Sequence, residues 1–323
     1  METIDYSDNK LRNKSVLVTG GAGFIGSSLV EYLIKVGTKK IRILDNLSTG
    51  HISNIGNFLN TGTVEFIEGD IRDLKLCQES CKGIDFVLHQ AALGSVPRSI
   101  LDPITTNEVN ITGFLNILLA CRDNQIKRLI YAASSSTYGD SSSLPKVEEV
   151  IGMPLSPYAV TKYVNELYAG VFSKIYGIET IGLRYFNVFG SRQSPNGPYA
   201  AVIPLFLEAI RMQESPNSNG DGNQSRDFTY IDNVIQANIK SLFVENPLAV
   251  NQIYNIAYGE KISLNDLWSY LNELFGTEIV PNYREARIGD VRHSLADISK
   301  AKALLDYSPK IGVLEGLKRI AFK

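Results

Sequence analysis

The run Gly21-Ala22-Gly23-Phe24-Ile25-Gly26 constrains this chain more than any other, because of what stands on either side of it. Before it lies a short apolar segment with strand character, Ser15-Val16-Leu17-Val18-Thr19. After it, apolar residues recur at helical spacing from Ile25 to Val36. Alone, a G-x-G-x-x-G is equally a structural glycine turn; between a strand and a helix it reads as a dinucleotide cradle. Glycine permits the tight turn and the close backbone approach, and the helix N-terminus attracts a pyrophosphate. This places Gly20, Gly23, Phe24, Ile25 and Gly26 at a cofactor. Asp45 ends the second strand nineteen residues after Gly26, with Asn46 beside it. An acidic side chain there can bond both ribose hydroxyls and repels a 2′-phosphate, so NAD is expected rather than NADP. Asp70 and Ile71 follow the third strand and could flank the adenine, with helix capping the alternative for Asp70.

The first half continues the alternation. Ile41–Asp45, Val64–Asp70, Phe86–His89, Arg128–Ala132 and Thr180–Arg184 read as strands, each followed by a helical or turn-rich stretch. Strands separated by helices imply an α/β, doubly wound parallel Rossmann sheet with a smaller C-terminal substrate domain. The expected division is 1–187 for the cofactor domain and 188–323 for the substrate domain. Within the second part, Asp232–Glu245 looks helical and Gln252–Ile256 resembles a strand, so 232–258 is expected to return to the first domain. Ser191–Tyr199 and Glu214–Ser225, rich in Pro, Asn, Ser and Gly, read as loops.

Composition excludes several classes. The net charge is −2, without a basic run, which argues against a nucleic-acid partner. No stretch approaches about 18 consecutive apolar residues, and the first residues lack a signal pattern, so neither a membrane span nor export is expected. Cys77, Cys81 and Cys121 are few and odd in number, as in a reducing compartment. No acidic or histidine cluster accompanies them, so core packing is expected rather than a metal site. The reading is a soluble cytoplasmic protein. Asn110–Arg122 and Tyr158–Tyr176 are apolar around much of their circumference, which suits either sheet cover or burial against a second subunit.

Chemistry enters with Tyr158 and Lys162, four apart and therefore on one helical face. An ammonium beside a phenol favours the phenolate, so the Tyr158 pKa is expected to fall toward that of a working base. Spacing alone is weak, since Tyr6 and Lys10 repeat it near the N-terminus. Tyr158 differs in its company: Ser134-Ser135-Ser136-Thr137-Tyr138-Gly139 follows a strand, at the carboxyl end where open α/β sheets bind ligands.

These pieces together resemble the extended short-chain dehydrogenase/reductase family, and within it the UDP-sugar 4-epimerases. The resemblance rests on Thr19–Gly26, Asp45-Asn46, Gly69-Asp70, His89-Gln90-Ala91-Ala92, the serine cluster, Tyr158-x-x-x-Lys162 and Leu183–Gly190, in family order over most of the chain. His89–Ser99, Ala133–Asp140 and Gly289–Ser294 resemble a bacterial subgroup acting on UDP-N-acetylated hexoses or hexuronates. Ser191 departs from that subgroup, where a second basic residue is expected. The resemblance implies Tyr158 as the base, Lys162 on the nicotinamide ribose, Ser134 on the sugar 4-oxygen, and Ser135 and Ser136 assisting. It adds Ala91, Ala92 and Tyr185 to the cofactor residues. For the substrate it implies Gly94, Ser95, Asn187, Ala201, Val202, Arg226, Arg287 and Asp290, with Ser294 as a small gate admitting a 2-acetamido group. It also implies reversible C4 epimerisation through a 4-ketose, tightly bound NAD, a homodimer, and surface-polysaccharide precursor supply. Two rival chemistries weaken on the residues. Dehydratases need an Asp-Glu pair where Ser135 and Ser136 stand, and decarboxylases usually place a Glu in that segment. A non-catalytic NAD-binding scaffold would typically have lost Tyr158 or Lys162.

Overall fold

A computed structural model describes residues 4–196, 200–285 and 291–322. The first part lays down β1 (Ser15–Thr19), α1 (Phe24–Lys35), β2 (Lys40–Asp45), β3 (Val64–Glu68), α2 (Leu74–Ser80) and β4 (Phe86–His89). Then come α3 (Val96–Leu101), α4 (Pro103–Asn107), α5 (Gly113–Asp123), β5 (Arg128–Ser134), α6 (Pro157–Tyr176) and β6 (Glu179–Tyr185). The remainder holds β7 (Val188–Phe189), α7 (Val202–Arg211), β8 (Asn217–Asn219), β9 (Ser225–Arg226), β10 (Thr229–Tyr230) and α8 (Ile231–Phe243). It ends with β11 (Gln252–Ile256), β12 (Ile262–Ser263), α9 (Leu264–Phe275), β13 (Asn282–Arg284), α10 (Ser299–Leu305) and α11 (Val313–Ala321).

Seven strands form one parallel sheet in the order β3-β2-β1-β4-β5-β6-β11. This is the doubly wound Rossmann sheet expected from the alternation. The chain reverses its direction of travel across the sheet between β1 and β4, which opens a crevice at their carboxyl ends. Every residue of β1 and β4 is buried, as strands covered on both faces must be. Helices α1 and α8 cover one face; α2, α5 and α6 cover the other. The core beneath α1 and α8 runs on into the last third of the chain through Phe206, Trp268 and Leu317.

Local chemistry fixes the boundaries of the longest helix. The Ser156 hydroxyl accepts from the N–H of Ala159 at 3.2 Å, Pro157 starts the first turn, and Gly177 closes the helix at φ 71°. In the apolar stretch from Asn110, helix α5 begins only at Gly113, because Glu108–Thr112 winds as a π turn. Asn110 there holds Leu93 through both its N–H (2.8 Å) and its C=O (3.1 Å). Cys77, Cys81 and Cys121 are fully buried free thiols, as core packing requires. No metal-binding group of His, Cys, Asp and Glu occurs among the described residues. None of the described helices is long and apolar enough to cross a membrane.

The stretch read as loop from Glu214 to Ser225 is partly a strand. β8 pairs in parallel with β13, and β9 pairs antiparallel with β12. Strands of two or three residues carry too little alternation to stand out in a sequence, and their partners lie about forty to sixty residues away. Apart from β11, the described strands after β6 thus form three two-stranded ribbons, β7 with β10, β8 with β13 and β9 with β12.

Candidate active site

The glycine turn owes its shape to contact with the next strand over. Gly20 has φ 68°, and a β-carbon there would sit 2.7 Å from the Ala91 nitrogen. At Gly26 a β-carbon would lie 2.1 Å from the Gly20 carbonyl oxygen. The main chains after β1 and β4 therefore meet with no room for side chains between them. Gly23 caps α1 without a side-chain acceptor, leaving main-chain N–H groups at the helix start to face a ligand. A cleft of about 360 Å³ opens over this turn. Gly20, Gly23, Phe24, Ile25, Gly26, Asp45, Asn46, Asp70, Ile71, Ala91 and Ala92 all line it, and Gly94 stands at its edge. Gln90 and Leu93, inside the His89–Ser99 motif but not assigned to the cofactor, also contribute, as do Ser48, Thr49 and Val109, which no motif marks.

Asp45 is already half engaged. One carboxylate oxygen accepts from Ala22 N–H at 2.9 Å and the other from Leu47 N–H at 2.8 Å. Each oxygen keeps a further lone pair for a ribose hydroxyl. Asp70 does not cap α2, because Asp73 does so by accepting from Leu76. Instead the Arg72 guanidinium grips Asp70 at 2.8 Å and, with a hydrogen bond from Asn46, holds its carboxyl down at about 2. Tyr185 lies behind the cleft rather than in it. Its hydroxyl donates to Gln90 at 3.2 Å and accepts from Asn238 at 2.9 Å, and Gln90 in turn donates to Asn238 at 3.2 Å. It thus fixes the wall of the cleft, and its phenol is pushed up to about 12 by burial.

The reacting groups gather at the end of β5. The Ser134 oxygen accepts from both the N–H (3.1 Å) and the hydroxyl (2.8 Å) of Ser136. Its own hydroxyl proton is left to donate, and Ser135 stands half-buried beside it. Tyr158, in the first turn of α6, is half-buried. Its pKa is raised, with burial the main cause and the Ser134 hydroxyl pulling it back. The expected fall is therefore absent in the protein alone. Lys162 turns its ammonium to the Ala132 carbonyl at 2.9 Å, and burial lowers it to about 8 against the opposing pull of Glu166. Glu166 is itself locked by Arg184 through two bonds of 2.8 Å. Nearby, burial and then the charge of Lys162 push His89 down to about 3, so it is neutral where it meets Thr19 at 2.8 Å.

A second cavity, about 400 Å³, lies among the ribbons and contains Asn187, Ala201, Val202 and Arg226. Asn187 holds φ 35°, unusual for a residue with a side chain. Around the same space the sequence reading missed Gln193, Ser218, Gln224 and Arg284. Among the described residues, Gln193 Oε1, Ser218 Oγ and Gln224 Oε1 are buried without a hydrogen-bond partner. Three residues lining one space thus each carry an unsatisfied buried oxygen, which costs free energy and makes this wall unusually polar for a packed interior. No pattern in the sequence flags them, since polar residues in a loop-like stretch read as solvated.

Two expected substrate residues stand apart from both cavities. Ser95 caps α3, accepting from Arg98 at 3.2 Å, and Ser294 is bridged by its N–H to Ser225 at 3.0 Å. Arg287 and Asp290 lie outside the described residues. Ser191 is exposed, and its neighbour Arg192 pairs with Glu31 rather than turning to the ligand.

A family model for the NAD dependent epimerase/dehydratase family matches residues 16–257. Among solved structures, the chain is 40% identical to a UDP-N-acetylglucosamine 4-epimerase from Methanobrevibacter ruminantium in complex with UDP-N-acetylmuramic acid. The TM-score is 0.91, over 96% of this chain and 98% of that one. A UDP-glucuronic acid 4-epimerase from Bacillus cereus, in complex with UDP-glucuronic acid and NAD, is 32% identical, with TM-score 0.87 over 95% and 98%. A dTDP-glucose 4,6-dehydratase from Streptomyces venezuelae, with NAD bound, is 28% identical, with TM-score 0.87 over 95% and 96%.

The glycine contacts make the cofactor cradle testable. Gly26→Ala should weaken NAD binding by about a hundredfold or more, because the clash falls on main chain that cannot yield. Calorimetric titration with NAD reads this directly; wild-type affinity would mean that the turn is looser than its contacts imply.

Proposed function

The chain belongs to the NAD-dependent epimerase/dehydratase family, and from that premise we propose that it inverts C4 of a UDP-N-acetylhexose, interconverting UDP-GlcNAc and UDP-GalNAc. The corresponding uronates are the second candidates. The cofactor is NAD, for which the glycine cradle and the free lone pairs of Asp45 are suited. The observation that carries the reading is the serine triplet beside Tyr158. Elimination needs an acid/base pair next to the reacting carbon, and Ser135 and Ser136 supply neither a carboxylate nor a cation. A dehydratase is therefore disfavoured although one is a structural neighbour.

Tyr158 takes the proton of the sugar 4-hydroxyl, leaving a 4-ketose. Ser134, whose hydroxyl meets Tyr158, would turn its proton to the same sugar oxygen, steadying it while charge develops. Held by the glycine cradle, Asp45 and Lys162, NAD would supply the acceptor for the hydride that C4 loses together with this proton, and the source of its return to the opposite face of the ketose. Because burial raises the Tyr158 pKa, the phenol is protonated at rest and needs a neighbouring positive charge to act as a base. Lys162, with one N–H on Ala132, keeps two more to hold the nicotinamide ribose. The ketose must turn over while the nucleotide stays anchored, a division of labour that fits a gripping second cavity and few fixed contacts for the sugar. NAD is restored in each turnover, so tight retention suits the cycle.

We also propose that two copies pair through α6. Leu167, Val171 and Ile175 are 52%, 48% and 66% exposed along it, and Leu101 and Ile104 on the adjoining α3 and α4 are 75% and 70% exposed. A matching face on a second copy would bury this stripe along the roughly 30 Å of the helix. The three buried free thiols and the NAD requirement favour the cytoplasm.

NMR of the protein incubated separately with UDP-GlcNAc, UDP-GlcNAcA and UDP-Glc should reveal a C4-inverted product, fastest with the first. Tyr158→Phe should lower kcat by about 10²- to 10⁴-fold with NAD still bound. A stable keto or dehydrated product would overturn the epimerase reading. Ser294→Tyr should suppress turnover of the N-acetylated sugar more than of UDP-Glc; undiminished activity would sink the gate. Light scattering should give twice the chain mass and, for Leu167→Asp, the mass of one chain. A wild-type monomer would refute the pairing.

A further inference from the structure

Asp227 is a fully buried carboxylate flanked in the chain by Arg226 and Phe228, which both line the second cavity. Among the described residues its hydrogen bonds all come from main-chain N–H groups. One oxygen accepts from Tyr258 and Gly259, the other from Gly259 and Ala296, each at 3.2 Å. The first two donors follow β11, the far edge strand of the sheet. The third lies two residues past Ser294. The main-chain carbonyl of Asp227 accepts from the Asn187 amide at 3.0 Å, and Thr229 N–H donates to the Asn187 carbonyl at 3.2 Å. Asn187 is the cavity residue at φ 35°, a conformation that persists only when neighbours impose it.

The Asp227 carboxylate therefore ties the sheet edge to the segment carrying Ser294, and the main-chain carbonyl of the same residue holds the strained Asn187. Resting on the UDP-sugar reading, we propose that Asp227 is a positioning residue that clamps the substrate half of the site onto the sheet in its ligand-gripping arrangement. The clamp has a chemical dependence. A carboxylate can accept at both oxygens, whereas a protonated carboxyl turns one of them into a donor facing an N–H. Burial raises the Asp227 carboxyl to about 7, with Glu260 acting in the same direction. The other ionisable groups around it are engaged elsewhere. Tyr307 bonds the Ala257 carbonyl, His293 meets Ser225, Arg292 pairs with Asp221, and Arg226 bonds the carbonyls of Ser225 and Arg292. The sign follows: above neutrality the carboxylate closes the clamp, and as pH falls through about 7 a proton opens one arm. Nucleotide affinity should fall with it.

The test is calorimetric titration of UDP into the NAD-loaded protein between about pH 6 and pH 8.5, for wild type and Asp227→Asn. Wild-type affinity should drop several-fold toward the acid end. The amide places a permanent donor against an N–H, so Asp227→Asn should bind UDP about tenfold more weakly and with a flat pH profile. The same variant should raise KM far more than it lowers kcat, which a general loss of packing would not do. A variant retaining the wild-type affinity and slope overturns the proposal. Should the variant not fold, carbon NMR of the wild-type Asp227 carboxyl serves instead. By linkage, UDP must lower the pH at which this carboxyl titrates, and an unmoved titration refutes the clamp. Wild-type protein that binds no UDP at any pH overturns the UDP-sugar reading, and this inference falls with it.

Discussion

The contact of Gly20 with the main chain of Gln90 and Ala91 is the constraint from which the rest of the site follows. It brings the turn after β1 against the segment after β4, at the place where the order of strands reverses. Because no β-carbon intervenes, the cleft has a floor of main chain, with N–H groups rather than side chains facing upward. Tyr185, Gln90 and Asn238 then lock that floor to β6 and α8 through a closed ring of hydrogen bonds. Stiffness here matters because the hydride must travel between two rings whose separation the protein sets.

Around that floor the protein buries charge in a consistent pattern. Lys162 and His89 are both desolvated, and both lose affinity for their protons as a result. Tyr158 is desolvated too, which works against its ionisation. On the proposed role of Tyr158, a phenol that rests protonated would need a neighbouring positive charge before it could take a proton. Glu166 and Arg184, 6% and 3% exposed, satisfy each other one turn beyond Lys162 and leave its ammonium free of a direct ion pair. A strong salt bridge to Lys162 itself would restrain the ammonium that the proposed mechanism directs to the nicotinamide ribose.

The substrate lobe is held by different means. Its ribbons are only two strands wide and two or three residues long, too short to be stable alone. Coherence comes from an apolar core continuous with that of the sheet and from side chains bonding main chain across distant segments. Asn255 bonds the carbonyls of Lys146 and Asp297, Asn233 bonds Ile311, and Asp227 gathers three N–H groups.

The sequence by itself determined the parallel sheet and the cofactor cleft. Period, glycine placement and strand-end acids are local properties, and the nine residues they pointed to, from Gly20 to Ile71, line one cavity together with Ala91 and Ala92, which the family resemblance supplied. It also placed Tyr158, Lys162 and Ser134 together, since Ser134 ends β5 and the other two lie on α6, the next long helix after that strand. Only the tertiary structure decided protonation. The spacing of Tyr158 and Lys162 suggested a lowered phenol, but burial depends on every segment packed above them and reversed the sign. It alone decided that Tyr185 supports the cleft from behind, that Ser95 is a helix cap, and that Ser218, Gln193 and Gln224 surround a space. Those outcomes arise from contacts between residues far apart in the chain, for which no short-range pattern exists to be read.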